Sequence, residues 1–209
     1  MSRCNRRLHA LRDGLLLLLA TLGAVCAHGA VFLIDSMPVP ACKRARAQRC
    51  KKVRGQDFCG YCAAKQEPFF GWRLHLIGAP SGVPVRFDLV PGGLHDLTPI
   101  HEPTYGLPAD ATVYGDKGDN AAADEATILA DTVVRLIPIR KANIAPNLWP
   151  DKLALRAYRK RIETRYSQLE AMGLERLRAR TNPSLALTMH ASLLAVTITN
   201  ADLQSRYIS

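Results

Sequence analysis

The sequence predicts an α/β fold built on a mixed sheet. Three strand-length runs, apolar or alternating, follow one another between residues 30 and 93. A Ser-Gly pair at 81–82 sits between the second and third runs, as a hairpin turn would. From residue 111 onward, strand patterns and helix patterns alternate. At 209 residues the chain can bury a full core as one domain. Its 48% apolar and 22% charged residues are those of a globular protein and not a disordered one.

The first strand is predicted over Ala30–Val39, "AVFLIDSMPV", a near-continuous apolar run of the kind a central buried strand carries. The second, over Phe69–Pro80, alternates Trp72, Leu74 and Leu76 with Arg73, His75 and Ile77. The third spans Val83–Gly93 and completes the hairpin. A proline-broken stretch, "HDLTPIHEPTYGLP", is helical or irregular. The fourth strand is predicted at Ala111–Lys117, a helix at Asn120–Thr132, the fifth strand at Val133–Lys141, then a proline-bearing loop. Apolar spacing at Leu153, Ala157, Ile162, Tyr166 and Leu169 predicts a helix from Lys152 to about Gly173. A last apolar helix is predicted over Leu185–Asn200. His75, Trp72 and Trp149 read as packing residues.

The N-terminus imitates a secretory signal. It has an Arg-rich start, an apolar run over Leu15–Ala27, and small residues at Ala27, Gly29 and Ala30. The run is too short to span a bilayer. It starts only after Arg12 and Asp13, which argues against export and for a helix over residues 8–27 ended by Gly29. The expected organisation is a helical segment, 1–30, before a core domain, 31–209.

Net charge is +10, with a pI near 9.6, which favours a polyanionic partner. Lys43, Arg44, Arg46, Arg49, Lys51, Lys52 and Arg54 fall within twelve residues. Lys152, Arg156, Arg159, Lys160, Arg161 and Arg165 surround Glu163 in a second cluster. Of six cysteines, four (Cys42, Cys50, Cys59 and Cys62) are spaced Cys-x7-Cys-x8-Cys-x2-Cys. The final pair has zinc-knuckle or redox spacing, but the set matches no common zinc module and holds no His. Reduced, unligated thiols are the plain reading; a disulfide framework would require export.

Three acids stand out. Asp35 interrupts the apolar first strand, where a carboxylate is costly unless it is paired or binds a cation. Asp116 closes the fourth strand, in "TVYGDKGDN", and Glu163 lies mid-helix in "KRIETRYSQLE". Each has a structural alternative: Asp116 as a turn former or helix cap, Glu163 as a partner of Arg159 or Arg156. A right-handed crossover can return the fourth strand beside the first, so that the acids converge at one sheet end. Carboxylates gathered there repel unless divalent cations neutralise them, which suits Mg²⁺ or Mn²⁺, two ions roughly 3.5–4 Å apart.

The segments "IDSMPVPACKRARAQRC", "FFGWRLHLIGAPSGVP", "PGGLHDLTP", "VYGDKGDN" and "RKRIETRYSQLEAMGL", in that order, resemble the catalytic domain of bacterial insertion-sequence transposases with an Asp-Asp-Glu triad. The resemblance covers Val31 to about Thr199. It implies a ribonuclease-H-like, five-stranded mixed sheet, three strands antiparallel plus two parallel, flanked by helices. Asp35, Asp116 and Glu163 match the triad, and His95 and Asp96 match a His-Asp pair after the third strand. The implied activity is metal-dependent cleavage of double-stranded DNA at element ends, then transfer of the 3′-hydroxyl to a target. Lys43, Arg44, Arg46, Arg49, Lys51, Lys52, Arg54, Lys117, Arg156, Arg159 and Lys160 are the expected DNA contacts. A cytoplasmic, nucleoid-associated protein with no membrane partner, homo-oligomeric at full length, is implied. Two departures matter: the family's helical DNA-recognition region has no room before Val31, which points to truncation, and Asp119 stands where the motif usually has Tyr. An inactive DNA-binding remnant and an exported cysteine-bridged protein are the alternatives.

Overall fold

The computed structural model describes residues 3–26, 29–63, 65–94, 106–115, 122–140, 146–177 and 179–208. In chain order the elements are α1 (Arg3–Ala10), α2 (Arg12–Cys26), β1 (Val31–Lys43), β2 (Cys59–Cys62), β3 (Glu67–Gly78), β4 (Pro84–Pro91), β5 (Thr112–Gly115), α3 (Ala122–Thr132), β6 (Arg135–Pro138), α4 (Trp149–Ala171) and α5 (Asn182–Ile208). Short 3₁₀ turns occupy Arg44–Arg49, Gln56–Phe58 and Leu174–Arg176.

The sheet runs β2-β3-β1-β5-β6, and β4 shares the outer edge of β3 with β2. β1 pairs antiparallel with β3 from Leu33↔Gly78 to Lys43↔Phe69, and β3 pairs antiparallel with β4. β5 lies parallel to β1 and β6 parallel to β5. This is the ribonuclease-H-like mixed sheet expected, flanked by helices, with one strand more than expected among the described residues. The addition, β2, is four residues long and reads Cys-Gly-Tyr-Cys, too short for an alternation signal. The edge of β3 at Glu67–Phe70 makes it a strand.

β1 runs four residues past the Val39 end expected from sequence, through Pro38 and Pro40. Both prolines have the same parity, and the ladder to β3 passes through both. Their missing N–H donors therefore fall on the opposite edge, where β5 pairs only with Val31–Ile34. A proline is harmless on an edge that asks for no donor. The hairpin turn is where sequence placed it, with Gly82 at a φ of 97°.

Alternation divides the core in two. On one face Met37, Val39, Leu74 and Leu76 pack against Leu19 of α2, Leu169 of α4, and Leu185, Met189 and Leu193 of α5. The same face continues through Leu33, Tyr114 and Ile137 to Leu155 of α4. On the other face Phe32, Ile34, Ile77 and Val113 pack against Ile128 of α3. α4 begins at Trp149, three residues before the expected start, because Pro150 preorganises the first turn and Asp151 complements the helix dipole. Trp149 itself is 66% exposed, which corrects the packing role expected of it, since the first residue of that helix faces solvent. Trp72 does pack: its ring meets Phe58 edge-on, and its Nε1 donates to Asn182 Oδ1 at 3.1 Å.

α5 is anchored at both ends, by the Trp72 contact and by Asn200 Nδ2 donating to the Gly82 carbonyl at 2.9 Å. Its Asn182–Ala201 stretch is long and apolar enough to cross a membrane by composition, yet half of it is buried against the sheet. α2 lies close over β4: a Cβ on Gly23 would come within 3.0 Å of the Pro84 and Val85 carbonyls.

Two glycines test this packing in opposite directions. A Cβ at Gly71 would meet the backbone of Ala41 at 2.5 Å and of Val39 at 2.6 Å, so Gly71→Ala should lower stability by about 1–3 kcal/mol in urea denaturation. A Cβ at Gly14, in α2, meets nothing within 4 Å, so Gly14→Ala should raise it by about 0.5–1 kcal/mol.

Candidate active site

Asp35 lies mid-strand on β1, opposite Leu76 of β3. Its neighbours on that face, Leu33 and Met37, are 0% and 4% exposed, whereas Asp35 is half-buried. One carboxylate oxygen accepts the N–H of Ser36 at 2.7 Å. β5 ends at Gly115, opposite Ile34, so Asp35 is the first β1 residue beyond the parallel ladder. Asp116 follows Gly115 in the chain and lies outside the described residues, as do Lys117, Asp119, His95 and Asp96.

Glu163 sits in the middle of α4, and its side chain is exposed. The buried stripe of that helix is Leu155, Tyr158, Tyr166 and Leu169, the spacing of one helix face. Tyr166 touches both clusters, which lays α4 across β1 on the face that carries Asp35. Glu163 is one turn before Tyr166. Arg156 and Lys160 are exposed and stand seven and three residues ahead of Glu163, so the three share one solvent-facing stripe of α4. The Arg159 side chain lies outside the described ones.

The start of α4 is pinned to the sheet. Tyr114 donates its hydroxyl hydrogen to Asp151 at 3.4 Å, and Arg135 pairs with Asp151 at 3.4 Å. Burial, and then the Asp151 carboxylate, push the Tyr114 phenol above its usual range. Sequence reading passed over this contact; the acid in the first helical turn was its available signal. Arg140 grips Glu125 with both terminal nitrogens at 2.6 Å and so ties the end of β6 to α3.

The basic segment after β1 is a surface feature. Lys43, Arg44, Arg46, Arg49, Lys51 and Arg54 are all exposed. Lys52 is half-buried and donates from Nζ to the Ala41 carbonyl at 2.8 Å, as the turn folds back onto the end of β1. Among the described residues no group of three or more His, Cys, Asp or Glu could hold a metal ion. Cys42, Cys50, Cys59 and Cys62 are all described, and they do not gather as a set of three or four metal ligands. Asp35 and Glu163 are two acids of the expected triad, and the third lies outside the described residues.

The family of the Transposase DDE domain matches residues 26–182, three quarters of the chain. The chain belongs to the DDE transposase family. Among solved structures, the Mos1 transposase paired-end complex with left transposon end is similar at 9% identity and a TM-score of 0.32, over 96% of this chain and 63% of that one. No curated protein matches. Within this DDE domain, Asp35 and Glu163 both fall in the matched segment.

His75 of β3 and His190 of α5 are buried, 2% and 7% exposed. Burial, and then Arg73, lower the His75 pKa to about 4; burial, and then Arg12, do the same for His190. Among the described residues, neither His75 Nε2 nor His190 Nδ1 finds a hydrogen-bond partner. An unfolded histidine takes up its proton near pH 6.5, whereas the folded chain resists until about 4. The stability contributed is therefore complete above pH 6.5 and is lost as pH falls towards 4, on the order of 3 kcal/mol per histidine. Urea denaturation across that window should show the fall, with a shallower slope for His75→Leu.

Proposed function

We propose that this DDE transposase chain cleaves double-stranded DNA at the ends of an insertion sequence and joins the freed 3′-hydroxyl to a target. Asp35, Asp116 and Glu163 are the acids of the reaction. The observation that carries the reading is Asp35: a half-exposed carboxylate in an otherwise buried row, at the point where β5 stops, under the helix that bears Glu163. The C-terminal end of parallel strands is where α/β sheets place their chemistry.

The donor set fits Mg²⁺ or Mn²⁺. Carboxylates are the hard oxygen ligands these ions take, and Asp35 offers one oriented by the Ser36 N–H. Two bound ions would polarise the scissile phosphate and lower the pKa of the attacking hydroxyl. The rest falls to the protein. Arg156 and Lys160, on the stripe of Glu163, would neutralise phosphates beside the site. Lys43, Arg44, Arg46 and Arg49 would follow the DNA backbone without reading sequence. The proposed setting is the cytoplasm, on DNA, as a homo-oligomer.

Supercoiled plasmid should be nicked in Mg²⁺ or Mn²⁺, and the nicking should vanish in Asp35→Asn and Glu163→Gln. Equal nicking by wild type and both variants would sink the catalytic reading and leave a DNA-binding remnant. Independently of activity, Mn²⁺ at about 100 times its dissociation constant should stabilise the wild type by about 2.7 kcal/mol, and Asp35→Asn much less. Binding to a random duplex should weaken with salt, and the triple variant Arg44→Ala, Arg46→Ala, Arg49→Ala should flatten the log–log slope by roughly two to three.

A further inference from the structure

The cysteines gain a role from the fold that their spacing does not suggest. Cys42 lies at the end of β1, where the strand bulges between Pro40 and Cys42. The turn Arg44–Arg49 then returns the chain, and Cys50 closes it with its N–H on the Ala47 carbonyl at 3.0 Å. The Lys52 ammonium, on the Ala41 carbonyl at 2.8 Å, holds the returning strand against β1. The two thiols are neighbours: Cys42 and Cys50 pack against the same core cluster, each acts on the other's ionisation, and both are partly open to solvent. We propose that Cys42 and Cys50 form an oxidation-sensitive dithiol that peroxide converts to a disulfide, stapling the basic turn to β1.

The two sulfurs have different roles. Burial opposes ionisation of Cys50, but the N–H groups of Val53 and Lys52, the Cys42 thiol and the Lys52 ammonium outweigh it and hold its pKa below the usual thiol value. Burial, and then the Cys50 sulfur, push Cys42 up to about 11. Cys50 is therefore the attacking thiolate and Cys42 the resolving thiol. The Cys50 sulfur attacks one peroxide oxygen, the O–O bond breaks, and a proton completes the departing water. The Cys42 sulfur then attacks the sulfenic sulfur; the S–S bond forms, the S–O bond breaks, and the Cys42 proton leaves with the second water. Two thiols are oxidised and one peroxide is reduced to two waters. A dithiol reductant reverses the bond by exchange.

The test uses the full chain, without DNA or metal, so its outcome is separate from that of the transposase reading. After peroxide treatment, trypsin cuts within the basic turn, and the Cys42 and Cys50 peptides should remain joined until dithiothreitol is added. In Cys42→Ser, dimedone should trap a sulfenic acid on Cys50. Without peroxide, iodoacetamide should label Cys50 roughly tenfold faster than Cys42, the thiolate gain being partly offset by lower nucleophilicity. Peroxide-treated chain with both thiols free, or with Cys42 or Cys50 joined instead to Cys59, Cys62 or a second chain, would overturn the proposal.

Discussion

The organisation of this domain depends on the unequal pairing of β1. On one edge it is hydrogen-bonded to β3 along nearly its whole length; on the other, β5 accompanies it for only four residues. A strand held on one side alone can carry prolines and a bulge that a doubly paired strand would exclude. Asp35 begins that singly paired stretch. Cys42 ends it, and the basic turn leaves from it. Among the described residues, no strand pairs that second edge of β1 from Asp35 onward, which is where the prolines and the bulge fall.

The helices turn this edge into a site. α4 crosses the face of Asp35 and is held at its start by Tyr114, Asp151 and Arg135, and along its length by Leu155, Tyr166 and Leu169. A buried stripe one turn away from Glu163 leaves that side chain exposed without leaving its helix free to rotate, since rotation would expose leucine and tyrosine to water. α5 and α2 complete the core beneath the strands and contribute no candidate catalytic group. Positive charge is concentrated where it can meet phosphate, on the turn after β1 and on the outer stripe of α4.

Much of the fold was legible in the residues. The strand runs, the Ser-Gly hairpin and the amphipathic α4 all stand within a few residues of their expected places, because periodicity and turn chemistry are local signals. Element ends were less legible. β1 outran its prolines because β3 paired through them, and α4 started early because Pro150 suits a first turn as well as a loop. β2 had no signal of its own. Trp149 reads as a packing residue by its chemistry, yet its place at the helix start faces water.

The sequence by itself determined the order of strands and helices, the placing of an acid in an apolar strand and the clustering of basic residues, since each is a pattern among near neighbours. Only the tertiary structure decided that β5 stops opposite Ile34, that Lys52 is engaged by a backbone carbonyl and that Cys50 comes back to meet Cys42. These are pairings between distant or folded-back segments. Backbone hydrogen bonds and close packing fix them, and neither leaves a mark in local composition.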